Sequence, residues 1–300
     1  MNIDRRDFLK MAGVGSVFFI SGIGRLDQSA HAAGPDNGDF SFVQLSDTHW
    51  GFSGQSINPD FAGTLKKAVD SVNGLEHQPD FIMFTGDLTH TTDDGKERRR
   101  RLTEFRDIVN QLKVRNLKFM PGEHDAGLDR AEAYQELFGQ THYAFNFNGV
   151  HFIVLDNVSD PNSMIGETQL QWLSNDLNYL DKKSPIIVFT HRPLFDLAPD
   201  WDWHTRDGAK AVELLSPFSS VTVFYGHIHQ EHHYKTGNIV HHAGKGLMFP
   251  LPAPNSVPKK QPIPWNAAEP YKGLGFRGAD IIIKQKDPAI HEFGVRGESV

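Results

Sequence analysis

The sequence contains no cysteine among its 300 residues. This absence excludes disulfides, thiolate metal sites, iron–sulfur clusters and a cysteine nucleophile. Basic residues are fewer than acidic ones, 30 against 37, and the formal net charge is −7. An acidic chain argues against an extended nucleic-acid groove, and we expect no nucleic-acid polymer as a partner. Histidine, by contrast, is abundant, with 16 copies, and it is the commonest metal ligand.

The first 32 residues have the features of a bacterial export signal. Arg5 and Arg6 precede an apolar run over residues 11–24, and residues 30–32 (Ala-His-Ala) form a small-x-small cleavage pattern. Paired arginines before a modest apolar stretch resemble a twin-arginine signal, which exports folded proteins. The run is about 14 residues long and a bilayer span needs roughly 20, so we expect no stable membrane span, although uncut tethering stays open.

The sequence therefore predicts a signal peptide over residues 1–32 and a single domain over residues 33–300. It also predicts the twin-arginine export machinery as a partner and a periplasmic or otherwise exported location. In the domain, strand patterns alternate with helical ones, which predicts an α/β core with parallel strands. The predicted strands cover residues 40–46, 80–85, 117–120, 143–147, 150–155, 185–190, 221–225, 239–243 and 279–283.

Local signals predict the connections between these strands. Asn148-Gly149 predicts a hairpin between two strands, because both residues tolerate the positive φ of a tight turn. Asn58-Pro59 predicts the start of a helix whose apolar stripe runs to Val72. Helices are also predicted near residues 102–112 and 168–180.

Polar clusters follow the predicted strands at the points where the strands end. In open α/β sheets, ligands bind beyond the carboxyl ends of the strands, so we expect these clusters to converge. They offer carboxylates and imidazoles without sulfur, a donor set suited to Mn, Fe, Zn or Ni. The clusters are Asp47-Thr48-His49, Gly86-Asp87, Gly122-Glu123-His124-Asp125, His191 and Gly226-His227-Ile228-His229.

In this order the clusters resemble the motifs of the calcineurin-like metallophosphoesterase superfamily, which read DxH, GD, GNH[D/E], H and GHxH. The match spans residues 47–229. In the spacing of its motifs and its sequence style, the chain is most similar to the cyclic-nucleotide phosphodiesterase-like branch. The resemblance implies a four-layer α/β/β/α sandwich with mixed sheets. It also implies two divalent or mixed-valence metal ions (Mn, Fe or Zn) that hold a small phosphate-ester substrate, a diester or a monoester.

The resemblance also assigns roles to individual residues. It implies hydrolysis by a metal-bound hydroxide, with His124 as the proton donor to the leaving group and Asp125 as its orienting carboxylate. It implies that Asp87 bridges the two metal ions. The other implied ligands are Asp47, His49 and His229 for the first metal, and His191 and His227 for the second.

Glu123 departs from the family pattern, which has a neutral asparagine at this position. We include Glu123 among the predicted metal ligands. Two divalent ions, Asp47, Asp87 and a hydroxide leave one net positive charge, which Glu123 cancels. Three outcomes are open: a trivalent iron restores the charge, a monoanionic diester is preferred over a dianionic monoester, or Glu123 points away. The substitution also keeps open a non-catalytic metal- or ligand-binding protein, or a hydrolase of substrates other than phosphate esters.

Residues outside the motifs are candidates for substrate contact. His90 follows the Gly-Asp cluster, and its alternative role is a polar cap on that loop. Trp203 and His204 lie in the loop after His191, where stacking on a substrate ring competes with packing against the domain. Residues 249–270 contain seven prolines. Two interpretations are open for such a long loop: an extended wrap over the surface, or a loop that shapes the rim of the active site or a subunit contact.

Overall fold

Two β-sheets form the centre of the chain, which this computed structural model describes over residues 38–282 and 285–297. The first sheet has the order β11-β10-β1-β2-β3. Strands β1, β2 and β3 are parallel, whereas β10 and β11 join antiparallel. Its strands are β1 (Phe40–Leu45), β2 (Phe81–Thr85), β3 (Leu117–Met120), β10 (Gly275–Ile281) and β11 (Ala289–Gly294).

The second sheet is mixed as well, with the order β4-β5-β6-β7-β9-β8. Its four inner strands are parallel and its two edge strands are antiparallel. Asn148 and Gly149 have φ angles of 42° and 82°, and the predicted hairpin is confirmed. The strands are β4 (Tyr143–Phe147), β5 (Val150–Val154), β6 (Pro185–Phe189), β7 (Ser220–Tyr225), β8 (His232–Thr236) and β9 (Ile239–Ala243).

Helices cover the outer faces of both sheets. Buried residues of α1, α2 and α4 pack on the first sheet, and those of α5 and α6 pack on the second. The four-layer α/β/β/α sandwich is confirmed. The helices are α1 (Thr64–Asn73), α2 (Gly95–Val109), α3 (Glu123–Ala126), α4 (Glu132–Phe138), α5 (Glu167–Leu177) and α6 (Gly208–Leu215).

Phenylalanine rings fill the space between the sheets. Phe42 stacks on Phe81 with ring centroids 5.1 Å apart, and it meets Phe224 of the second sheet edge to face at 5.2 Å. Each fully buried ring stabilises the fold by about 1.5–3 kcal/mol. The packing keeps the carboxyl ends of the parallel strands of both sheets on one side of the sandwich.

The structure corrects one predicted helix start and adds strands that the sequence did not predict. The first helix begins at Thr64, not at Asn58. The side chain of Asn58 is buried and donates to the carbonyl of Met248 at 2.8 Å, so it holds a loop and caps no helix. Strands β8 and β11 lack a strong apolar alternation and were not predicted.

All the described residues belong to one compact unit. The predicted signal peptide over residues 1–32 lies outside the described residues. In the part of the chain that the structure describes, no helix combines the length and the hydropathy that a bilayer crossing requires.

Candidate metal centre

The loops after the strands place the candidate ligands in left-handed backbone conformations. Asp47, His49, Asp87, His227 and His229 have φ angles of 54°, 40°, 49°, 67° and 53°. This region is costly for residues with a Cβ atom, and such strain concentrates at functional sites. It turns each side chain back over the end of its strand, toward the same space.

Two glycines let these loops approach one another. A Cβ atom on Gly122 would lie 2.1 Å from Oδ1 of Asp87, and one on Gly226 would lie 2.1 Å from Oγ of Ser46. Both distances are far below van der Waals contact. The glycines of the GEHD and GHIH clusters are therefore required by close packing beside the carboxylates.

Asp47, His49, Asp87 and His229 form the first group of candidate ligands, and all four are buried. Their ligand atoms lie within 4.8 Å of one another. Nε2 of His229 lies 3.2 Å from both Oδ1 of Asp47 and Nε2 of His49. Two imidazole nitrogens and two carboxylate oxygens form a donor set that suits Mn, Fe or Zn.

Asp87, Glu123, His191 and His227 form the second group, which shares Asp87 with the first. The carboxylate of Glu123 points into this group. Its oxygens lie 2.8 Å from Nε2 of His191 and 2.9 Å from Nδ1 of His227. The alternative in which Glu123 points away is wrong for this structure.

Hydrogen bonds to the far side of each ring fix which nitrogen faces the centre. Nδ1 of His191 donates to the carbonyl of Thr85 at 2.7 Å, and Nδ1 of His229 donates to that of Phe249 at 2.6 Å. Nε2 of His227 donates to the carbonyl of Asp202 at 3.0 Å. A proton on one ring nitrogen leaves the lone pair of the other nitrogen available for a metal, which is the usual arrangement around ligating histidines.

Two further observations show that these residues are suited to hold a pair of metal ions. Nε2 of His191 is buried with Oε2 of Glu123 at 2.8 Å and Oδ2 of Asp87 at 3.5 Å, yet among the described residues it forms no hydrogen bond of regular geometry. A nitrogen set among carboxylate oxygens in this way is placed to face a metal. Burial lowers the pKa of His191 and of His229, but the neighbouring carboxylates outweigh it and raise both. The buried carboxylates therefore favour positive charge between them.

His124 lies beside the two groups, with its side chain partly exposed. Nε2 of its ring is 3.9 Å from Oδ2 of Asp87. The backbone N–H of Thr91 donates to Nδ1 of His124 at 3.2 Å. Because Nδ1 accepts this bond, a neutral ring carries its proton on Nε2, which faces the centre.

The structure corrects the role expected for Asp125. Its buried carboxylate accepts hydrogen bonds from the backbone N–H groups of Gly122, Leu88 and Thr89, at 2.8 to 2.9 Å. It therefore joins the GD loop to the GEHD loop, and Thr91 orients His124 instead. Burial and the nearby Asp87 raise the pKa of Asp125 to about 7.

The three predicted substrate contacts have different outcomes. His90 lies beside the centre, where its Nδ1 is 3.3 Å from Nδ1 of His49 and its ring stacks on His124, but it is not among the residues that line the pocket. Trp203 is fully buried against Trp201, so the stacking on substrate expected for it is wrong. His204 is half-buried and does not line the pocket over the centre.

Sequence reasoning missed residues that support the centre from outside the motifs. Oδ1 of Asn157 accepts from the backbone N–H of His191 at 3.2 Å. Nη2 of the buried Arg192 lies 3.8 Å from Oε2 of Glu123, and the same guanidinium pairs with Asp202. Single residues with no motif around them carry no signal in one sequence, although Arg192 directly follows His191.

The proline-rich loop lies at the rim of the centre. A pocket of about 160 Å³ over the two ligand groups is lined by Lys260, Gln261 and Pro262 as well as by Glu123 and His124. Of the interpretations open for residues 249–270, a loop that shapes the rim of the site agrees with this placement. Burial lowers the pKa of Lys260, whose ammonium group adds positive charge beside the pocket.

Comparisons with known proteins agree with this geometry. Among the relatives, the serine/threonine-protein phosphatase CPPED1 of Mus musculus is 30% identical over 222 residues, 64% of this chain and 70% of the relative. The probable glycerophosphodiester phosphodiesterase GpdQ of Arcobacter nitrofigilis is 32% identical over 161 residues, 50% of this chain and 56% of the relative. A solved dimetal phosphatase from Danio rerio shares the fold, with a TM-score of 0.57 at 17% identity over 87% of this chain and 98% of that chain.

A family model supplies the assignment. The model described as calcineurin-like phosphoesterase matches residues 40–231. This segment contains every motif cluster from Asp47 to His229. The chain therefore belongs to the calcineurin-like phosphoesterase family.

Proposed function

We propose that this protein is a dinuclear metal-dependent phosphoesterase that prefers phosphodiesters to monoesters. The observation that carries the proposal is the pair of four-residue ligand groups that share Asp87, with His124 beside them. When bound, two metal ions supply Lewis acidity that neutralises charge on the phosphate oxygens. We propose Mn, Fe or Zn for these positions, because the donor set is imidazole and carboxylate without sulfur.

Residues around the ligand groups supply the proton for the leaving group and bind the phosphate. His124 presents its Nε2 proton toward the centre, where it can protonate the departing oxygen. The backbone N–H of Thr91 holds the ring in that orientation. Lys260 lines the pocket with these groups, and its charge attracts the phosphate anion.

The preference for diesters rests on the carboxylate of Glu123. It adds a third negative charge to those of Asp47 and Asp87, and Arg192 offsets it only in part because that guanidinium also pairs with Asp202. A dianionic monoester is repelled more strongly than a monoanionic diester in a partly buried pocket. The relative named as a glycerophosphodiester phosphodiesterase supports the same direction.

Replacing Glu123 with asparagine tests this preference. We expect the ratio of kcat/KM for bis-p-nitrophenyl phosphate to that for p-nitrophenyl phosphate to fall by about tenfold, since one charge is removed from the pocket. Bound metal is measured in parallel, and the exposed Glu76→Asn serves as the matched control. An unchanged ratio contradicts the electrostatic basis of the preference. If the wild type binds metal but hydrolyses neither ester, a ligand-binding protein or a non-phosphate hydrolase becomes the better interpretation.

We also propose that the protein is exported by the twin-arginine route. The proposal is supported by the paired arginines Arg5 and Arg6, which precede a short apolar run. Replacing both arginines with lysine is expected to retain the full chain in the cytoplasm, as measured by cell fractionation and blotting. Arg25→Lys, which lies outside the pair, is the control and is expected to be exported. Normal export of the double variant excludes this route.

A further inference from the structure

A second cavity of about 470 Å³ lies beside the metal centre. It shares two wall residues, His229 and Leu251, with the pocket over the ligand groups. The two spaces are therefore adjacent, which is the placement that a substrate spanning both would need. Ligand cavities of about 300–1,000 Å³ are typical of small-molecule sites.

The proline-rich loop and the segment after it build this cavity. The backbone N–H of Ile263 donates to the carbonyl of Pro250 at 3.0 Å, which ties the two arms of the loop together. The N–H of Trp265 donates to the carbonyl of Ser56 at 3.1 Å, and the amide of Gln230 donates to that of Pro252 at 3.0 Å. The loop is held in place at several points, so the cavity is a defined feature of the fold.

The walls are mainly apolar and aromatic. Met248, Leu251, Ile263, Trp265 and Tyr271 face the cavity, and the rings of Trp265 and Tyr271 meet edge to face at 5.2 Å. An apolar cavity of about 150 Å³ already holds benzene. The space beside His229 is therefore large enough for an aromatic ring with a substituent.

The charged groups on the walls are paired with one another. Nζ of Lys245 lies 2.5 Å from Oε1 of Glu231, and Nζ of Lys272 lies 2.7 Å from Oε1 of Glu269. Each pair cancels its own charge. The cavity thus favours a neutral occupant, in contrast to the anionic group expected over the two ligand groups.

We propose that this cavity binds the retained alcohol group of a phosphodiester, as a neutral apolar or aromatic moiety. The inference rests on the proposed phosphoesterase function and adds a substrate class to it. The leaving group belongs on the side of His124, which is the proton donor. The cavity lies on the side of His229, so it receives the ester group that stays on phosphorus. A monoester has no such group.

Two diesters with the same leaving group test the assignment. They are p-nitrophenyl phenyl phosphate and methyl p-nitrophenyl phosphate, which differ only in the retained alcohol. We expect the wild type to prefer the phenyl diester by at least about tenfold in kcat/KM, because a buried ring adds apolar contact. Ile263→Trp and Ile57→Trp each put a larger side chain on the cavity wall, and each is expected to reduce the preference to about onefold. Val257→Trp, an exposed position of the same loop outside the cavity, is expected to keep it.

Binding of 1-naphthol, followed by ligand-observed NMR on the full chain, separates the two proposals. We expect the wild type and Val257→Trp to bind it, and the two filled variants to lose binding. If neither diester is hydrolysed but naphthol binds and the filled variants lose it, the phosphoesterase function fails and the apolar site stands. The cavity assignment is overturned if the two diesters react equally in the wild type, or if both filled variants keep the preference and the naphthol binding.

Discussion

Replacing Asp87 with asparagine is expected to lower kcat by at least about 1,000-fold and to reduce the metal content below two ions per chain. Loss of a residue that only orients a metal ligand costs about 10- to 100-fold. Asp87 belongs to both ligand groups, so its loss removes a charged donor from two positions at once. The expected effect is therefore larger. Metal content is measured by elemental analysis of purified protein, and kcat with bis-p-nitrophenyl phosphate.

The control for this prediction is Asp93→Asn. Asp93 is exposed, lies six residues after Asp87 in the chain, and belongs to neither ligand group. It is expected to keep both the metal content and kcat. Asp87→Asn protein that is folded, holds two ions and turns over at the wild-type rate would show that the shared carboxylate is not a metal ligand.

Replacing His124 with asparagine is expected to lower kcat by about 100- to 10,000-fold for a diester with a poor alkoxide leaving group. The loss is expected to be much smaller for a p-nitrophenolate leaving group, which departs without a proton. Metal content is expected to stay at the wild-type level, because His124 is in neither of the two four-residue ligand groups. The measurement is the ratio of kcat for the two leaving groups, with metal content determined on the same samples.

His77→Asn is the matched control for His124, since His77 is exposed and belongs to none of the motif clusters. It is expected to leave the leaving-group ratio unchanged. An equal fall for both leaving groups in His124→Asn contradicts proton donation and indicates that the ring has a structural role.

The sequence predicted a large part of the fold because its strongest signals are local. The hairpin at Asn148-Gly149 follows from two residues that tolerate positive φ, and strand β2 follows from one short apolar run. Strands β8 and β11 escaped prediction because they lack a strong apolar alternation, although each pairs with a strand next to it in the chain, β9 and β10 respectively. The false helix start at Asn58 has a tertiary cause, since its amide bonds a residue 190 positions away.

The sequence by itself determined which side chains meet at the carboxyl edges of the two sheets. The parallel strands of the first sheet carry Asp47 and Asp87 to the same edge by topology alone, whereas His191 follows β6 of the second sheet and reaches them because the two sheets pack with their carboxyl ends on one side. Only the tertiary structure decided their neighbours. The fold buries Trp203 in a cluster of side chains and places Arg192 against Glu123. It also binds the carboxylate of Asp125 to the backbone N–H groups of Leu88 and Thr89 rather than to His124. These contacts join segments far apart in the chain, and their geometry depends on the packing of loops, which leaves no periodic pattern in a sequence.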